Sequence, residues 1–71
     1  MGKIINHIKR YRVKKGMTQE ALAKRAGVSR QSIISIERDK YIPSLPLALK
    51  FARIFQCQTD DLFQLKEEFH G

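Results

Sequence analysis

Wound at about 100° per residue, the segment RQSIISIER places Gln31, Ile34, Ser35 and Arg38 on one strip, beside Arg30 at its start, and Ile33 and Ile36 on the opposite side. The strip carries a particular chemistry. A guanidinium pairs bidentately with guanine, a carboxamide with adenine and a hydroxyl with either, while an aliphatic group fits against the thymine methyl. Arg30, Gln31, Ser35 and Ile34 supply one of each. On composition alone, an ordinary solvated helix face is the favoured reading of Arg30, Gln31 and Ser35. No catalytic constellation competes with it: no nucleophile stands beside a base, there is no glycine-rich phosphate loop, and the carboxylates do not cluster. His7 and His70 lack a second ligand at metal spacing, and Cys57, in an apolar stretch without a partner cysteine, reads as a core thiol. No metal, cofactor or small-molecule ligand is expected.

The strip needs elements to hold it, and periodicity predicts helices nearly throughout, with no alternating stretch that suggests a sheet. Ile4, Ile8 and Tyr11 recur on a first helix that Gly16 ends by taking a left-handed conformation. Thr18 caps a second helix with Leu22, Ala23 and Ala26 inward, and Gly27 ends it. Ser29 caps the third, with Ile33 and Ile36 inward. Pro43-Ser44 opens a fourth, whose expected core face is Leu45, Ala48, Leu49, Ala52 and Phe55, with Pro46 in the first turn where no donor is lost. A short fifth helix around Asp60 to Leu65 is anchored by Leu62 and capped by Thr59 or Gln58. Two helices joined through Gly27-Val28, the second with a polar outer strip, have the layout of a helix-turn-helix, about residues 18–38, whose second helix enters the major groove. In that setting contact with DNA outweighs a merely solvated face.

Composition agrees with one small all-α domain spanning 1–71. The chain is 42% hydrophobic and 30% charged, which supports one modest core. No apolar run nears the ~20 residues that cross a bilayer, and no signal-peptide layout opens the chain, so a cytoplasmic protein is expected. Charge is uneven: residues 1–53 hold 13 of the 14 Lys and Arg against Glu20, Glu37 and Asp39, a net of +10. Residues 54–71 hold Lys66 against Asp60, Asp61, Glu67 and Glu68, a net of −3. The basic part attracts a polyanion.

The ordered set Gly16-Met17-Thr18-Gln19, Leu22-Ala23, Ala26-Gly27-Val28-Ser29-Arg30-Gln31, Ile33, Ile36-Glu37, Lys40-Tyr41 and Pro43-Ser44-Leu45 resembles the XRE family of phage-repressor-like and Cro-like bacterial regulators. Leu47 to Ala52 and Asp60-Asp61-Leu62-Phe63 continue the likeness over almost the whole chain. The resemblance implies a five-helix phage-repressor-like fold with helices two and three as the reading unit, and a transcriptional regulator without enzymatic activity. It implies a repressor, homodimeric on a pseudo-palindromic operator in double-stranded DNA. An antitoxin, or a protein-interaction module on the same fold, is the alternative.

Site residues carry over where they match. Arg30, Gln31 and Ser35 resemble base-reading positions, with Ile34 between them. Gln19, beside Thr18 at a helix N-terminus, resembles a phosphate ligand; Lys40 and Tyr41 resemble further ones, with Arg38 and Arg10 as electrostatic candidates. Arg12 and Glu37 resemble a structural ion pair. Asp39 departs from the Gly or Asn common after the third helix. Near the acidic end, about 59–71, Phe63, Leu65 and Phe69 either cap the core or form a dimer contact.

Overall fold

Three hydroxyls set the starts of three helices. Thr18 Oγ1 accepts from the Ala21 N–H at 3.0 Å, Ser29 Oγ from Ser32 at 3.1 Å and Ser44 Oγ from Leu47 at 3.4 Å, each satisfying a donor that has no partner within its helix. The computed structural model describes residues 3–66. Among them the order is β1 (Lys3–Asn6), α1 (Ile8–Lys14), α2 (Gln19–Ala26), α3 (Arg30–Glu37), α4 (Leu45–Phe55), α5 (Thr59–Leu62) and β2 (Phe63–Lys66). The five-helix phage-repressor-like arrangement is present, and a small sheet is added to it.

That sheet corrects the all-helical expectation at both ends. β1 and β2 pair antiparallel, with Ile4 opposite Leu65 and Asn6 opposite Phe63. Ile4 therefore belongs to a strand, and α1 starts at Ile8 after His7 has donated its N–H to the Leu62 carbonyl at 2.8 Å. The fifth helix stops at Leu62 because the next residues hydrogen-bond to β1. Consecutive β-branched residues such as Ile4-Ile5 favour a strand, yet the partner lies at the other end of the chain, beyond any local periodicity.

The core is single. Phe51, Ile8, Leu22, Ile33, Ile36 and Leu62 are fully buried, each contributing about 1.5–3 kcal/mol of transfer free energy. Ala23 and Ala26 keep the inner face of α2 flat where it packs on α3 and α4, and Tyr11 lies tilted over Phe55 with ring centres 5.9 Å apart. On α4 the buried side is Leu47, Ala48, Phe51, Ala52, Ile54 and Phe55, whereas Leu45 and Leu49 are 68% and 52% exposed. LPLALKFARIF is apolar on more than one side, so two stripes at helical spacing are available. The stripe with the larger side chains takes the core.

Candidate nucleic-acid interface

α3 is held from beneath by Ile33 and Ile36 and from its N-terminus by the Ser29 cap, where Ser29 Oγ also lies 3.0 Å from Ser32 Oγ. Arg30 and Gln31 are exposed on its outer side. Ser35, one turn on, is half-buried and stands 3.5 Å from Gln31 Nε2; Ile34 is also half-buried, which leaves less of its side chain outward than the wheel suggests. Beyond the helix, Arg38, Asp39, Lys40 and Tyr41 are all exposed. Gln31, Ser32, Ser35, Lys40 and Tyr41 line one shallow depression. Candidate base readers and candidate phosphate ligands thus share one surface, the arrangement needed for a helix to lie in a groove between two phosphate rows.

The other candidates are placed differently. Thr18 caps α2 and is exposed; Gln19 is half-buried, and its Nε2 donates to Glu37 Oε1 at 3.2 Å. Arg10 lies on α1 beside His7, Lys14, Asp61 and Gln64, apart from the depression along α3. Arg12 and Glu37 meet with Nε donating to Oε2 at 2.6 Å and Nη2 to Oε1 at 3.2 Å, with side chains only 11% and 4% exposed. Arg12 Nη1 donates also to the Met17 carbonyl at 2.8 Å, so the pair ties α1, the loop before α2 and the end of α3 together.

Toward the C-terminus, Phe63 is half-buried and packed against the core, so it belongs to the domain interior more than to a partner surface. Leu65 is 62% exposed. Phe69 lies outside the described residues.

Three participants escape sequence reasoning. Asn6 donates from Nδ2 to the Ile36 carbonyl at 2.9 Å and to Asp39 Oδ1 at 2.7 Å, and its Oδ1 accepts from the Ile8 N–H at 3.2 Å. Its one local signal is a cap-type residue two places before a helix. Lys15 and Lys50 donate to the carbonyls of Ile54 and Ala26 at 3.1 and 3.2 Å, at the C-terminal ends of α4 and α2, where cations are favoured.

Burial, and after it the charge of Asp61, push the Cys57 thiol up from its ordinary value, so it stays protonated and weakly nucleophilic at neutral pH. Among the described residues no group of three His, Cys, Asp or Glu is placed to hold a metal, and no helix is long and apolar enough to cross a membrane.

Comparison with known proteins follows the same division. The helix-turn-helix family matches residues 8–62, from the start of α1 to the end of α5, and leaves both strands outside. An uncharacterized HTH-type transcriptional regulator of Archaeoglobus fulgidus is 52% identical over 61 residues, covering 86% of each chain. One from Bacillus subtilis is 43% identical over 63 residues, covering 89% of this chain and 96% of its own. Relatives thus occur in archaea as well as bacteria, wider than the bacterial range the sequence resemblance implies. Among solved structures, the restriction-modification controller protein C.AhdI of Aeromonas hydrophila superposes with a TM-score of 0.75 at 32% identity, over 80% of this chain and 86% of that one. The SinR protein in complex with the SinI protein gives a TM-score of 0.72 at 32% identity, over 78% of this chain and 54% of that one.

Proposed function

Because the chain belongs to the helix-turn-helix family, as a DNA-binding transcriptional regulator of the phage-repressor-like XRE type, we propose that it acts in the cytoplasm as a repressor, bound as a homodimer to a pseudo-palindromic operator. The observation that carries this reading is the surface shared by Gln31, Ser35, Lys40 and Tyr41, with Arg30 exposed at the start of the same helix. α3 enters the major groove with Arg30, Gln31 and Ser35 toward base edges and Ile34 against whatever apolar edge its half-exposed side reaches. Lys40, Tyr41 and Arg38 meet phosphates on one side, and the N–H groups at the start of α2, beside Thr18 and Gln19, meet them on the other. Repression requires no chemistry from the protein: occupancy of the operator is sufficient. The controller protein among the structural relatives supports a regulatory role.

Selection of bound sequences from a random duplex pool, followed by footprinting, tests the reading. The expected outcome is a two-fold related pair of half-sites; a pool that stays random after several rounds would refute it.

A second reading adds a protein partner, as in an antitoxin. It is favoured by the SinR relative having been solved with another protein and by exposed Ile5, Tyr41 and Ile42, which adjoin or line a groove between β1 and the loop after α3. A tagged chain that retains a defined second protein through a high-salt wash, with DNA digested, would support that reading over operator binding alone.

A further inference from the structure

α3 ends in a left-handed turn. Asp39 has φ +59°, the Asp39 N–H donates to the Ile36 carbonyl at 3.0 Å and the Lys40 N–H to the Ser35 carbonyl at 2.9 Å. Such a pair of bonds closes a helix well, but it asks a non-glycine residue to adopt a conformation its Cβ opposes. At this position the chain carries a carboxylate, on the surface proposed to face phosphate. Both features are unfavourable unless something outside the helix holds the turn.

Asn6 is placed to do so. One carboxamide donates to the Ile36 carbonyl and to the Asp39 carboxylate, at 2.9 and 2.7 Å, while its oxygen accepts the Ile8 N–H at 3.2 Å. It therefore clamps the last turn of α3 and the left-handed residue after it to the first turn of α1. Asn6 is the last residue of β1, outside the span that matches the family, and is fixed by pairing opposite Phe63 of β2. The residues immediately after the clamp are Lys40 and Tyr41.

We propose that Asn6 is a positioning residue for DNA recognition: through Asp39 it sets the exit of α3 and thereby aims Lys40 and Tyr41, so that the β1–β2 sheet controls how the reading helix is presented. The inference rests on α3 being the reading helix. It makes the two-stranded sheet part of the recognition apparatus, and anything that displaces β1 weakens binding without touching a DNA-contacting side chain.

Asn6→Asp is the discriminating variant. It keeps an oxygen for the Ile8 N–H but removes both donors and turns a carboxylate toward Asp39. Equilibrium binding of the full chain is measured on a duplex carrying the selected site and on a scrambled duplex, across a salt series, with thermal unfolding alongside. The expected result is about tenfold weaker binding to the selected site, as for loss of a hydrogen bond to a charged group, and a smaller loss on the scrambled duplex. Lys40→Ala, which lowers the salt slope by about one in the parent, should change it little in the Asn6→Asp background, because Lys40 is already misplaced. A merely structural role would leave the two substitutions additive. Asp39→Gly supplies a left-handed residue without strain or carboxylate, and in that background Asn6→Ala should weaken binding by less than about twofold. This pair carries the same comparison where Asn6→Asp proves unfolded at the assay temperature. Parent-like affinity and salt slope in folded Asn6→Asp, full additivity with Lys40→Ala, or an undiminished effect of Asn6→Ala in the Asp39→Gly background would each overturn the inference while leaving the DNA reading intact. A parent chain that shows no salt-dependent duplex binding would overturn both.

Discussion

Single side chains here divide into those that hold the domain and those displayed by it, and the two groups should separate in measurement. Arg12 and Glu37 are almost enclosed, with Gln19 Nε2 completing the carboxylate's shell at 3.2 Å. Arg12→Ala strands that carboxylate with one weaker partner and should lower folding stability by about 1–3 kcal/mol. Gln31→Ala, on an exposed face, should leave stability within about 0.5 kcal/mol yet cost about 1–3 kcal/mol in binding the selected site, with relaxed preference at one base pair. Urea unfolding and binding isotherms on both variants check the contrast; equal stabilities would refute the burial of the pair. The sequence exposes the types on the strip because Arg, Gln and Ser opposite two isoleucines form a local pattern. It hides Asn6, whose partners Ile36 and Asp39 stand 30 and 33 residues away and whose own type is as common in loops as in clamps.

At the level of elements, starts are more legible than ends. Each of α2, α3 and α4 starts at a hydroxyl whose neighbours also announce a helix. All four longer helices finish in a turn with a left-handed residue, at Gly16, Gly27, Asp39 and Gln56, each followed by a residue whose N–H reaches back to the last turn: Met17 to Arg12, Val28 to Ala23, Lys40 to Ser35 and Cys57 to Ala52. Glycine announces the first two. Asp39, where the family resemblance places Gly or Asn, and Gln56 offer no glycine to mark the turn, and the bond that holds Asp39 comes from Asn6, 33 residues away. A substitution pair tests that account. Gly27→Ala places a Cβ at φ +73° and should destabilise by about 1–2 kcal/mol, while Gln56→Gly removes the same opposition at φ +54° and should stabilise by up to about 1 kcal/mol. In a domain of this size each kcal/mol moves the melting midpoint by about 4–8 °C, well within reach of a thermal scan; shifts of the same sign for both would refute the shared geometry. The pairing of β1 with β2 is hidden for a related reason: each strand's partner lies at the other end of the chain.

Across the whole molecule, size and charge set the terms of recognition. A single α3 spans too few base pairs to define a site among the competing sequences of a genome, which is the ground for the proposed homodimer, with half-site centres expected about 34 Å apart. The net charge of +7 favours polyanion binding but opposes close approach of two copies. That opposition is least at the C-terminal part of the chain, where acids outnumber bases and where Leu65 stands 62% exposed on β2. A two-stranded ladder also leaves each strand an outer edge open to pairing, so the sheet offers apolar surface and backbone donors together. A contact there would bury little surface, so the proposed assembly should be weak in free solution and completed on DNA. Leu65→Asp, far in sequence from α3, should lower affinity for a two-half-site duplex and abolish its cooperativity while leaving non-specific binding, its salt dependence and the melting midpoint nearly unchanged. Sedimentation of the complex with one-half-site and two-half-site duplexes gives the stoichiometry directly. A strictly one-to-one complex on the full site, indifferent to Leu65→Asp, would refute a homodimer joined through the β1–β2 sheet.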